Sequence, residues 1–270
     1  MKYYLYNPKA NNGIRPAFKE DAKIIEVIGL DFPKFFSELK EDDEVVLVGG
    51  DGTLNHFIND MNGIEIKHNV YLLGAGTGND FLNDINEKEP SKEVLINQYL
   101  KSLPTIRLNG MERKFINGVG YGLGGYCCEE ADRIKAKKPN KKINYTSIAI
   151  KGLLFKFKKR HVWVEMDGKQ YEFDNVWLSP VMKGRFYGGG MMIAPNQDRN
   201  GDTITVVVYQ GKSKIKTLMH FPEVFKGTHI QMKDVHIITG KKCHVRFNIP
   251  SAAQIDGETV LNVPEYEAEA

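Results

Sequence analysis

The stretch Val45-Val46-Leu47-Val48-Gly49-Gly50-Asp51-Gly52-Thr53-Leu54-Asn55 constrains this chain more than any other. Its first four residues are apolar and mostly β-branched, the pattern of a strand buried on both faces. Glycines around one aspartate break the run, and residues 53–58 resume with helical spacing. A strand, a glycine turn and a helix start place backbone amides and a helix N-terminus where a phosphate can sit. An aspartate inside such a turn repels phosphate unless a divalent cation stands between them, directly or through water. The stretch therefore predicts one half of a magnesium-nucleotide site.

At 270 residues the chain has room for two domains. A net charge of +3 supplies no global field for nucleic acid, so none is expected as a partner. Three cysteines, two adjacent (Cys127 and Cys128), make no disulfide framework or zinc spacing, which fits a reduced cytoplasmic setting. Residues 1–8 read as a strand entering a turn, not as a signal peptide. No apolar run approaches the ~20 residues needed to span a bilayer, so a membrane would be met from its surface.

Strands at 2–6, 23–28, 45–48 and 69–73 alternate with helices near 17–22, 33–39 and 54–61, and Ser91 is read as the cap of a helix reaching Leu100. This is the pattern of a parallel three-layer α/β domain over residues 1–108. Past it the texture changes: a strand at 114–119, a glycine run at 118–125, a helix at 143–157, then strands at 161–166, 170–173, 176–181, 203–209, 235–239 and 243–249. Asp167-Gly168 marks the clearest hairpin. Residues 109–270 are thus expected to form a β-rich domain, an antiparallel sandwich.

A second glycine loop, Gly74-Ala75-Gly76-Thr77-Gly78-Asn79-Asp80-Phe81, follows the strand at 69–73. In a doubly wound sheet, loops at the carboxyl ends of neighbouring strands converge on one crevice, and Asn7 opens onto the same edge. Together these motifs resemble the diacylglycerol kinase catalytic-domain family of lipid kinases, which includes sphingosine and ceramide kinases. Tyr6-Asn7-Pro8 is similar to the family's opening turn, Tyr187-Gly188-Gly189-Gly190-Met191 with Ala194-Pro195 to its mid-chain signature, and Asp256-Gly257-Glu258 to its late Asp-Gly-Glu motif.

The resemblance implies an ATP-binding α/β domain, a β-rich lipid-binding domain, and catalysis in the cleft between them. ATP is expected along Asn7, Lys9, Gly50, Gly52, Thr53, Gly76, Thr77 and Asn79. Asp51 is expected to organise Mg²⁺ through water, and Glu258 to act as general base on the lipid hydroxyl, most readily that of diacylglycerol. Asp256 and Lys151 are further candidates for substrate or phosphate, and Asp198 and Asp202 for an accessory cation. Taken alone, Asp-Gly-Glu reads as a hairpin turn carrying a solvated acid.

The chain departs from the family in several places. Either Lys9 or Arg15 can supply the phosphate-facing charge of the first loop. His56 stands where relatives have Glu and reads as a helix-face residue. Arg107 replaces an aspartate that supports the metal in relatives, and Lys183 an asparagine. Two other readings stand beside the lipid kinase: a NAD kinase, which shares Gly-Gly-Asp-Gly, and a nucleotide-binding regulatory or lipid-sensing protein without turnover.

Between Arg133 and Arg160 there is no Asp or Glu, while Lys residues alternate with Ile148, Leu153, Leu154, Phe155 and Phe157. The segment suits either peripheral contact with an anionic membrane at the cytoplasmic inner face or a solvated face over a core helix. The sequence leaves a homodimer open.

Overall fold

The run at 45–48 lies at the middle of a parallel sheet, as its composition requires. The structure, a computed structural model, describes residues 1–8, 22–76, 78–87, 89, 92–138, 141 and 143–270. The chain forms two units, residues 1–103 and 104–270.

The first unit runs β1 (Lys2–Tyr6), β2 (Lys23–Glu26), α1 (Phe32–Ser37), β3 (Glu44–Gly49), α2 (Asp51–Asp60), β4 (Asn69–Gly74), α3 (Asp80–Asp84) and β5 (Glu93–Leu95). Sheet order is β2-β1-β3-β4-β5, parallel except for β5. Central β3 buries Val45, Val46, Leu47 and Val48 completely, since both of its faces are covered. Val46 and Val48 pack with Tyr4, Tyr6 and Ala75. On α1 and α2, Phe32 and Phe36 meet Phe57 with ring centroids 5.3 and 5.6 Å apart.

The expected helix up to Leu100 is corrected. Residues 93–95 form edge strand β5, antiparallel to β4, and only a 3₁₀ turn, Asn97–Leu100, follows. The side chain of Asn97 accepts from the Val70 amide and donates to the His68 carbonyl, both at 2.8 Å, which holds the chain flat against β4. Ser91, its expected cap, lies outside the described residues.

The second unit runs β6 (Thr105–Leu108), β7 (Met111–Lys114), β8 (Gly118–Tyr121), α4 (Leu123–Lys137), α5 (Tyr145–Lys151), β9 (Arg160–Met166), β10 (Lys169–Leu178), β11 (Val181–Met182), β12 (Ile204–Gln210), α6 (Lys214–Lys226), β13 (Val235–Gly240), β14 (Lys242–Ile255) and β15 (Glu258–Glu269). The expected boundary at 108/109 moves to 103/104, because β6 pairs with β15 from Thr105 onward. The domain is β-rich and antiparallel as expected, and its pairing closes a circuit β14-β8-β11-β12-β10-β9-β14. Val162, Val164 and Met166 alternate into its core with Ile204, Val206, Val208, Val245 and Phe247. Thr205 and Val207 on the other face of β12 are also buried, Val207 packing with Val224 of α6.

Asp167 and Gly168 both have positive φ, as a two-residue hairpin needs. The strand read at 114–119 splits into β7 and β8. The glycine run enters helix α4: a Cβ on Gly125 would fall 1.9 Å from the Ala252 carbonyl oxygen, so only glycine lets the helix lie on β14. The helix expected at 143–157 is α5 followed by a wide π turn, Gly152–Lys156. Lysine-rich α6, with Pro222 inside it, was not expected. No helix among the described residues is long and apolar enough to cross a membrane.

Candidate active site

In the first unit both glycine loops lie at the carboxyl ends of adjacent strands β3 and β4. The Ala75 amide donates to the Gly49 carbonyl at 2.8 Å. Gly50 and Gly76 then meet backbone to backbone: a Cβ on Gly50 would lie 2.7 Å from Gly76 Cα, and one on Gly76 would lie 2.6 Å from Gly50 Cα. The result is a floor without side chains beside the N-terminus of α2, whose N-cap is Gly50. A Cβ on Gly52 would meet nothing within 4 Å among the described residues. That glycine is not demanded by packing.

Asp51 braces the floor. Its Oδ2 accepts from the Asp80 amide and its Oδ1 from the Phe81 amide, both at 2.9 Å. The carboxylate thus sits on the first turn of α3, where negative charge is favourable. Asn79 holds the intervening turn in the left-handed region (φ 48°), and its Oδ1 accepts from the Gly76 amide at 3.0 Å. Asn7 Nδ2 donates to Thr53 Oγ1 at 2.9 Å, joining the end of β1 to α2. No group of three His, Cys, Asp or Glu side chains suited to a metal occurs among the described residues. Hard-oxygen Mg²⁺ fits such a place through one carboxylate, water and phosphate rather than a protein cage.

In the second unit, Asp256 and Gly257 (φ 45° and 101°) form the two-residue turn between β14 and β15, with Ile255 paired to Glu258. Asp256, expected near substrate or phosphate, holds backbone amides of its own unit. Buried, it accepts from the amides of Ile116, Asn117 and Gly118 at 2.7, 2.9 and 2.9 Å. The following residue, Glu258, is more exposed, and its Oε2 forms a very short ion pair with Arg113 Nη1. The hairpin reading and the functional reading thus describe the same three residues, the turn being what holds Glu258 at the start of β15.

At the expected cation loop both acids have protein partners. Asp198 Oδ1 accepts from the Asn200 amide in its own turn, and Asp202 pairs with Lys241. The Lys183 ammonium donates to the Gly201 carbonyl at 2.5 Å, and burial, then the Arg199 charge, pushes it below the usual lysine value. Protein cations already serve this loop. Arg199 itself donates to the Ile116 carbonyl and to Asn117 Oδ1 at 2.6 and 2.8 Å.

Asn7, Gly50, Asp51, Thr53, Gly76 and Asn79 come together in one neighbourhood, while Lys9, Arg15 and Thr77 lie outside the described residues. Lys151 is exposed at the end of α5 and lines a shallow hollow with Asn144, Ser147 and Ile150. Arg107 pairs with Glu112 and Glu269 on the surface, so no carboxylate stands at that position. His56 lies 3.4 Å from Asp60 one helical turn on. Burial pushes the thiols of Cys127 and Cys128 up to about 12, which leaves them unreactive. Sequence reasoning missed Arg113, Asn117 and Arg199. It named Asp80 only within the second glycine loop and passed over Asp84, at the other end of α3; both are buried.

An α/β unit with paired glycine loops, followed by a β-rich unit carrying an Asp-Gly-Glu turn, defines a class of kinases. Residues 5–107 match the diacylglycerol kinase catalytic domain, and residues 117–268 match the YegS C-terminal NAD kinase beta sandwich-like domain. The chain belongs to the diacylglycerol kinase family of lipid kinases. It is 26% identical over 211 residues to a diacylglycerol kinase of Mycobacterium tuberculosis, covering 76% of this chain and 67% of that one. It is 25% identical over 228 residues to a diacylglycerol kinase of Bacillus subtilis, covering 82% and 72%. Its fold is similar to a diacylglycerol kinase structure from Bacillus anthracis str. Sterne, with TM-score 0.65 and 21% identity over 99% of this chain and 93% of that one.

Proposed function

We propose that the protein transfers the γ-phosphoryl group of ATP, with Mg²⁺, to the free hydroxyl of a diacylglycerol, giving phosphatidic acid and ADP. The observation that carries this reading is the Gly50–Gly76 floor braced by Asp51 beside the first amides of α2. Phosphoryl transfer asks for positioned donors, neutralised charge and one proton acceptor. The bare backbone of Gly50, Gly52 and Gly76, with Asn7 and Thr53 at the rim, supplies the donors. Asp51 would hold Mg²⁺ through water, and the ion would neutralise phosphate charge.

The acceptor hydroxyl attacks phosphorus as the bond from phosphorus to the β-bridging oxygen breaks. The hydroxyl proton passes to Glu258, which Arg113 keeps in place. Diacylglycerol is favoured because the curated relatives carry that name. A lipid acceptor and ATP together put the reaction at the inner membrane face.

The test uses radiolabelled ATP with dioleoylglycerol vesicles and chromatography of the organic phase. Label is expected in phosphatidic acid, and Glu258→Gln should lower its rate by about 10²–10⁴ with an unchanged melting curve. Label in NADP and in no lipid would overturn the reading. So would full activity in Glu258→Gln for the base assignment.

A further inference from the structure

We infer that the second unit docks on anionic membrane through a face built jointly by α6 and the π turn at 152–156. The three most exposed large apolar side chains among the described residues are Phe155 (76%), Met219 (73%) and Ile215 (69%). They come from segments about 60 residues apart, yet they share one region. Lys214 Nζ donates to the Leu154 carbonyl at 2.7 Å, Lys159 Nζ donates to the Lys212 carbonyl at 3.0 Å, and Leu154 and Leu218 pack on one core cluster. Ile215 and Met219 stand one helical turn apart on the same side of α6.

The interior neighbours make the exposure informative. Ile148, Leu153 and Phe157, interleaved with the lysines in the sequence, are buried, and so is Thr217 on α6. Both segments therefore have their core-facing residues satisfied. Phe155, Ile215 and Met219 are surplus to folding, and an isolated cluster of such residues marks an interaction surface.

Charge selects the occupant. Residues 134–159 contain no acid, and neither do residues 203–222. Lys156, Lys158 and Lys212 are exposed and form no ion pair among the described residues. Acids bordering this face have partners: Glu223 of α6 with Lys226, Asp234 with Lys216, and Glu130 with Arg133. Apolar tips ringed by lysines suit a surface with negative headgroups above hydrocarbon, which rewards both parts. The proposal joins the lipid-kinase reading by placing the chain where its acceptor lies, but binding is measured without turnover.

The experiment is sedimentation of the full chain with phosphatidylglycerol-rich or pure phosphatidylcholine vesicles. The chain is expected to bind only the former, more weakly as salt rises. The triple variant Phe155→Ser, Ile215→Ser, Met219→Ser should bind at least about tenfold more weakly with an unchanged melting curve. Lys156→Glu, Lys158→Glu, Lys212→Glu together should cost about a hundredfold or more. Equal binding to both vesicle types, or wild-type binding by the serine triple, would overturn the proposal. So would a dimer in sedimentation velocity that the serine triple dissociates, since the face would then be covered by a second copy. With a water-dispersed short-chain diacylglycerol the serine triple should keep wild-type turnover. Absence of turnover in every variant would count against the kinase reading and leave the vesicle result to decide the surface.

Discussion

Replacing Asp51 by Asn tests whether the two glycine loops are held together by one carboxylate. Asp51 accepts the Asp80 and Phe81 amides at 2.9 Å each. Hydrogen bonds to a charged acceptor contribute about 1.5–3 kcal/mol each when buried. Asn keeps one acceptor oxygen, now neutral, and turns an NH₂ toward the other amide, leaving that donor without its partner. The site is half-buried, so water recovers part of the loss, and a net cost of about 2 kcal/mol remains, about 30-fold in an equilibrium. Hydrogen exchange followed by mass spectrometry reads this directly. In a peptide covering residues 79–85, protection of the Asp80 and Phe81 amides should fall about 30-fold, while β14 and β15 keep theirs. Unchanged exchange at those amides would refute the brace. The outcome also governs how activity data are read, because loss of turnover in this variant would report disordered loops as well as lost Mg²⁺. ATP affinity measured with and without Mg²⁺ separates the two.

Asp256→Asn removes the charge that three amides address in a buried turn and should cost about 3 kcal/mol, read as a lower urea midpoint by tryptophan fluorescence, since Trp163 and Trp177 both lie in the second unit. Gly76→Ala drives a Cβ to 2.6 Å from Gly50 Cα and 2.8 Å from Asn79 Oδ1, an overpacking cost of about 1–3 kcal/mol, whereas Gly52→Ala should leave the melting curve alone and weaken ATP binding by calorimetry. Fully buried His229 donates from Nε2 to the Ile193 carbonyl at 3.0 Å, and burial holds it below its usual 6.5. The unfolded chain therefore binds the proton first as pH falls below 6.5, so this residue's contribution to stability is present at neutral pH and is lost as pH drops through the folded value. His229→Gln should flatten the dependence of melting temperature on pH between about 7 and 5, and identical slopes in both proteins would exclude the residue as a source.

Much of the first unit was legible because its signals are local. Val45–Val48 can be buried on both faces only in a parallel sheet, and glycine directly after such a strand leaves few backbone options. The same holds for Asp167-Gly168, where positive φ at consecutive positions selects the hairpin. What failed locally was decided by partners far along the chain. Residues 93–95 became an edge strand because β4 needed its amides satisfied. The glycines of α4 gave no helix signal because their need for smallness comes from Ala252, more than 120 residues away. α6 was missed because Pro222 sits inside it, where a proline ordinarily breaks a helix.

The catalytic candidates divide in the same way. Residue types and spacing were enough to single out Asp51, and the family resemblance singled out Glu258, but neither named their neighbours. That Asp51 ties two loops through backbone amides, that Asp256 is spent on holding residues 116–118, and that Arg113 grips Glu258 depend on register between strands distant in sequence. Periodicity cannot report such register, since hydrogen-bond partners are chosen by the sheet and not by the neighbouring residues. Sequence by itself determined the strand-and-glycine chemistry of a phosphate site. Tertiary structure decided which carboxylates remain for chemistry and which are consumed by the fold, because a buried backbone amide must find an acceptor before any ligand can.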